Sequence, residues 1–259
     1  MEKRFVFRGS AVGTAGHIHA PDNLIISHGS SSLPVTGGYL QCRREAAKFG
    51  DVLSVEKVHT HTSGDYHADD QAYTTLANSV VKGLNVHGRL TADSLEATLI
   101  SSHPADGTEP SITPAGTAIV NLRLDGYPVT MNIDTDLFTK HATKRSLSNA
   151  YSSDDGFFKR HGKRFLTSEK KNNAAGKRQI PEVSGYVVTS IVSDIQTRHS
   201  KAAVSGHVIT LKGFGRIFLG ELLITDTSRR LTLVRLKLGS PIEGDVACAE
   251  VESNGIIMF

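Results

Sequence analysis

The chain has no tryptophan, and aromatic residues make up only 6% of it. Its hydrophobic fraction, 39%, lies below that of most globular proteins. Gly, Ser, Thr, Asn and Asp fill the difference, a composition that favours many short strands and turns. Cysteine is scarce: Cys42 and Cys248 stand near opposite ends of the sequence, and neither lies in a C-x-x-C spacing. That argues against a zinc knot. It leaves either two buried small side chains or one disulfide between terminal strands, which would require an oxidising compartment. No apolar run approaches the roughly 18 residues of a membrane-spanning helix. The opening Met-Glu-Lys-Arg-Phe-Val-Phe-Arg-Gly is basic but lacks the apolar stretch of a secretion signal. The chain is then cytoplasmic, or its leader lies outside this sequence, or its export is non-classical. A formal net charge of +3 names no polyanionic partner by itself. The G-x-S-x-G elbow, the phosphate-binding loop and the dinucleotide fingerprint are all missing.

What is present reads as β structure from end to end. Residues 3–8 predict a first strand, and Leu24-Ile25-Ile26 is a second short apolar run. Residues 27–38 are a loop by composition. Within them Leu33-Pro34-Val35-Thr36-Gly37 matches a sortase sorting pattern, but no apolar tail and basic cluster follow, so the match is coincidental. Residues 39–49 suit a short helix or a charged edge strand. Residues 52–62 alternate, which predicts one strand with His59 and His61 on the face of Leu53 and Val55. The β pattern is strongest over 74–134, where two alternating runs flank Asp125-Gly126, a strong hairpin signal. Strands return over 183–225 and 231–238, and Ile256–Phe259 is expected to pair into a sheet. Strands at short spacing without a βαβ rhythm predict an all-β domain spanning 1–259, a two-sheet β-sandwich or barrel, with a short β-solenoid as the alternative.

One segment breaks the pattern. Residues 139–178 hold 11 Lys/Arg against 3 Asp/Glu, a net of +8, which leaves −5 on the remainder. A basic, partly helical insertion over 139–180 is expected, lying across one end of the sheets. Lys159, Arg160, Lys163 and Arg164 are its candidate contacts for a polyanion or for an acidic face of a second copy. Phe157, Phe158 and Phe165 either anchor the insertion or stack bases. No nucleic-acid module is recognisable, and nucleic acid is not an expected partner.

The chain carries 12 histidines, and two pairs have strand spacing: His17-Ile-His19 and His59-Thr-His61. Residues two apart in a strand share a face, so each pair aims two imidazoles at one point. If the pairs converge, four nitrogens would close a structural zinc site. Three of them with Asp65 or His67 would leave a position open for water. Iron or manganese would suit the mixed His and carboxylate set equally. The plainer reading is solvent-facing or hydrogen-bonded imidazoles on a Thr-rich strand.

Gly88-Arg-Leu-Thr-Ala-Asp-Ser-Leu-Glu-Ala-Thr98 and the later Ala115-Gly-Thr through Tyr127-Pro-Val-Thr-Met-Asn-Ile133 carry a resemblance. Over roughly residues 76–138 the chain resembles the bacterial choice-of-anchor P family. The resemblance implies a protein of the cell surface with no established catalytic role, and it brings no catalytic residues with it. This chain departs from the pattern in its basic insertion, its N-terminal third and its lack of a visible leader or anchor. The expected function is therefore binding or self-assembly at the cell exterior, possible homo-oligomers included. A metal-dependent hydrolase or isomerase built on the histidine pairs is the alternative, with zinc or another divalent transition metal as its cofactor.

Overall fold

The computed structural model describes residues 4–165, 186–225 and 228–258. The first strands are β1 (Arg4–Ala20), β2 (Leu24–Ser32), β3 (Gly38–Arg44), β4 (Ala47–Phe49), β5 (Leu53–Val55) and β6 (Lys57–His67). Next come β7 (Ala72–Val86), β8 (Leu90–Pro104), β9 (Ser111–Pro114), β10 (Ala118–Val120), β11 (Arg123–Leu124) and β12 (Tyr127–Ile133). Helices α1 (Asp136–Lys140), α2 (Lys144–Ser153) and α3 (Asp155–His161) follow, with a 3-10 turn at Gly162–Arg164. The last strands are β13 (Val187–Ser190), β14 (Val192–Thr197), β15 (Ala202–Ser205), β16 (Val208–Leu211), β17 (Gly215–Ile224), β18 (Arg229–Leu238) and β19 (Glu243–Met258).

Two antiparallel sheets face each other. The first runs β15-β16-β17-β18-β19-β1-β2, with β13 beside β17. In the second, β8 pairs with β7 on one side and with β9, β10 and β11 on the other. From β7 this sheet continues through β6 to β3 and through β5 to β4. The pair β1 and β19 lies across β7 and β8. Ile18, Val58, Val81, Leu95, Leu99, Leu219, Leu236 and Val251 meet between the sheets, each at 1% exposure or less. Each such side chain contributes roughly 1.5–3 kcal/mol by leaving water. This is the sandwich the sequence predicts, not a solenoid.

A pleat reversal crosses each sheet at one level. In the second sheet the buried positions run Val55 then Val58, Val81 then Leu84, and Ala92 then Leu95. They are three apart, where regular pleating would space them by two. Glu56-Lys57, Lys82-Gly83 and Asp93-Ser94 therefore point outward in succession, with no change in pairing register. Gly83 (φ +62°) and Asn121 (φ +51°, its amide donating to Asp93 at 2.6 Å) take the left-handed conformation that the reversal needs. In the first sheet the corresponding row is Gly29, Gly13, Ala249, Leu233 and Gly220, and there two successive residues point inward. Gly29, Ala249 and Gly220 have φ of +69°, +52° and +58°. Gly13 and Gly29 both lie against Val58, where a Cβ on either would overlap its methyl carbon.

This reversal corrects one expectation. Residues 52–62 are two strands, β5 and β6, whose phases differ across Glu56. Leu53 and Val55 face the core, and His59 and His61 face outward. A second correction concerns residues 27–38: β2 continues to Ser32 and only the remainder is a turn, closed by Gly37 N–H donating to Pro34 O. Serines suffice there because β2 is an edge strand whose ladder to β1 runs through the backbone. Residues 39–49 form edge strands rather than a helix. The Asp125-Gly126 hairpin is as predicted, Leu124 opposite Tyr127, with φ of +48° and +80° in the turn. Ile256, Ile257 and Met258 pair with β1 as expected, and Phe259 lies outside the described residues.

The insertion is partly helical, as expected. Thr143 caps α2 by accepting from Ser146 N–H at 3.1 Å, and Asp154 caps α3 by accepting from Phe157 N–H at 3.0 Å. Phe157 and Phe165 are buried, and Tyr151 packs on Phe165 at 4.5 Å, so these rings anchor the insertion. Its residues 166–180 lie outside the described part of the chain.

Candidate functional site

The histidine pairs keep their local geometry and lose their convergence. His17 and His19 project from the outer face of the first sheet, their ring centroids 4.1 Å apart, and His17 contacts the Asn23 side chain. His59 and His61 project from the outer face of the second sheet. The core lies between the two pairs. Asp65 and His67 are exposed at the far end of β6. Among the described residues no three His, Cys, Asp or Glu side chains stand close enough to share a metal ion. The expected metal centre is therefore not assembled, because β1 and β6 belong to opposite layers.

The basic contact set is also split. Lys159, Arg160 and Lys163 are exposed, but Arg164 is buried at 6% exposure and donates to Asp134 at 2.9 Å. Arg164 pins the insertion to the end of β12 and is removed from the surface set. Other carboxylates are engaged in the same way. Arg235 makes a two-pronged contact with Glu221 at 2.6 and 3.0 Å, and Arg230 reaches Glu252 at 2.7 Å. Arg89 holds Asp125 through two bonds of 2.8 Å. His199 completes that cluster, Nε2 donating to Asp125 at 2.8 Å while Nδ1 accepts the Lys201 N–H at 3.2 Å. Both ring nitrogens are committed, so this Asp-His pair fastens loops and has no lone pair left to act as a base.

The outer face of the second sheet is different. Two open depressions lie on it, and β3, β6, β7 and β8 supply most of their walls. One, of about 710 Å³, is lined by Tyr39, Ser63, Asp65, Tyr66, His67, Thr74 and Leu76, and it reaches Thr36 of the β2–β3 turn and Phe7 of β1. The second, of about 490 Å³, is lined by Arg43, Lys57, His59, Val80, Lys82, Ser94 and Glu96. Ladder register sets them end to end along one line of the sheet, here termed the furrow. Gln41, His61, Asn78 and Thr98 form the row across the strands between them. Tyr39 leans over His61 at 4.7 Å and donates to Gln41 Oε1 at 3.1 Å. Asn78 donates to Thr98 at 2.8 Å and to Glu96 at 3.4 Å. Burial holds the His59 and His61 imidazoles below the usual histidine range; Arg43 and Lys57 add to this at His59, and His59 adds to it at His61. Both are neutral near pH 7. His59 Nε2 lies 3.4 Å from Gln41 Oε1, and His61 Nε2 is buried with no partner among the described residues.

The sequence singles out His59, His61, Asp65 and His67 but sets the first two on the core face, and it gives no sign of Tyr39, Gln41, Arg43, Lys57, Asn78, Lys82 and Glu96. These come from four strands, and only their register brings them together. The fold and the face define an antiparallel two-sheet sandwich with an open, polar furrow on one outer surface. Residues 5–225 match the model of a domain family of unknown function, DUF8256, and the chain belongs to that family. No curated protein matches the chain. No solved structure matches it.

Proposed function

We propose that this chain is a non-enzymatic binding protein of the cell exterior that holds an extended polar ligand along the outer face of its second sheet. The observation that carries this is the placement of both large depressions on one sheet face, joined by a row of amide, imidazole and hydroxyl groups. Open furrows of this kind suit a chain-like ligand better than a small substrate that must be enclosed. The resemblance to the choice-of-anchor P family supports the exterior location, and it falls on β7 to β12, which build this sheet. Binding is favoured over charge-driven self-assembly because three carboxylates of the body, Asp134, Glu221 and Glu252, are already held by arginines of the same chain.

The test is a binding survey of linear polysaccharides and unstructured peptides by biolayer interferometry. Wild type is compared with Ser63→Trp, which fills the furrow. Binding of at least one polymer, abolished by Ser63→Trp at unchanged Tm, is the expected result. A ligand that binds equally well to the blocked variant would sink the furrow reading.

A further inference from the structure

Lys57 on β6 and Lys82 on β7 are directly opposed in the ladder. Like charges facing each other across a strand pair are destabilising. Arg43 stands next in the same corner, opposite His59 on β3. Lys57 has only a distant partner, Glu45 at 3.9 Å, on an exposed edge. Among the described residues neither Arg43 nor Lys82 has a carboxylate within ion-pairing distance. Glu96 is the one carboxylate lining this depression, and it faces Asn78. The pleat reversal creates the crowding, since it turns Glu56-Lys57 and Lys82-Gly83 outward in succession. Three cations thus surround an open space of about 490 Å³ against one carboxylate in its lining, Glu96.

We infer that this corner is a subsite for the carboxylate or sulfate groups of a linear acidic glycan. The inference rests on the furrow reading and names its ligand class. The rest of the furrow favours a sugar over other polyanions. From Lys57 to Asp65 it runs eight residues along β6, about 27 Å. Gln41, Asn78, Thr98, Ser63 and Thr74 offer both donors and acceptors over that length, as hydroxyl-rich ligands require. Tyr39 and Tyr66 are the exposed tyrosine rings that line it, too few for a base-stacking platform.

The experiment is titration calorimetry at low salt with polygalacturonate, dextran sulfate, neutral dextran and duplex DNA. At least one acidic glycan should bind about tenfold more tightly than neutral dextran. Lys82→Gln and Arg43→Gln should each weaken it about five- to tenfold, about 1–1.4 kcal/mol, and lower its salt dependence. Lys82→Gln should leave Tm equal or higher, because it relieves the opposed pair. Equal binding of neutral and acidic dextrans, or no loss in both variants, overturns the anionic subsite while Ser63→Trp still reports on the furrow. Failure of every polymer to bind through the furrow overturns both readings. Duplex DNA bound as tightly as the glycans through Lys82 and Arg43 overturns the glycan assignment.

Discussion

Asp125 occupies the first central position of a tight turn, and its carboxylate joins the β7–β8 turn, the β11–β12 hairpin and the loop before β15 through Arg89 and His199. The hydrogen bonds from Arg89 lead in holding its carboxyl down at about 2, with His199 adding to the shift against a burial penalty. A carboxyl lowered from its ordinary value near 3.8 adds stability above about pH 4 and loses it as pH falls through about 2. Screened by solvent, the size is about 1 kcal/mol. Asp125→Asn should lower Tm at neutral pH and flatten the loss of Tm between pH 4 and 2. An unchanged acid limb would show that another group carries it. His103 works in a higher window. Burial, with Arg229 adding, pushes its imidazole down to about 4, so it is neutral in the fold. Its contribution, about 3 kcal/mol, is complete above about pH 6.5 and declines as pH falls toward 4. His103→Phe, packed against Phe5 as the imidazole is now, should remove the slope in that interval of a thermal-melt series. Neither cysteine is bonded. Cys248 is fully buried and its thiol is pushed up to about 12, so a thiol reagent should modify it only after denaturation, whereas half-buried Cys42 reacts in the native protein.

At the scale of elements, the pleat reversal depends on small residues where the two sheets approach each other. Gly13→Ala would drive a methyl into Val58, at a cost of about 1–3 kcal/mol by overpacking. In a Val58→Ala background that cost should fall in part, the His28 carbonyl oxygen at 2.8 Å keeping the rest, a coupling read by a double-mutant cycle of chemical denaturation. Simple additivity would mean that the sheets are not in contact there. Gly29→Ala should be rescued less, because its φ of +69° strains any L side chain. Part of this device is legible in the sequence. Leu231 and Leu233 are followed by Val234, Leu236 and Leu238, a phase slip that reads directly as two inward residues in succession. In β5 and β6 the slip was hidden. Thr60 and Thr62, polar by type, fill inward positions, so the histidines took the apolar phase in a sequence reading.

For the whole molecule, Arg164 of the insertion is already paired with Asp134 of the body within one chain. Size-exclusion at low and high salt should therefore give one elution volume. A salt-sensitive shift to larger species would favour assembly between copies over ligand binding. The furrow lies on another part of the second sheet, where the excess of positive charge is local to Arg43, Lys57 and Lys82. No helix among the described residues is long and apolar enough to cross a membrane.

The order of apolar and polar residues was enough to determine the all-β class, the Asp125-Gly126 hairpin, the helical insertion and the shared face within each His-x-His pair, because these depend on neighbours a few positions apart. Which sheet each strand joined was decided only by the tertiary structure. Layer assignment parted His17 and His19 from His59 and His61, and cross-strand register set Lys57 against Lys82. Both arise from pairing between segments distant in the chain, for which local periodicity carries no information.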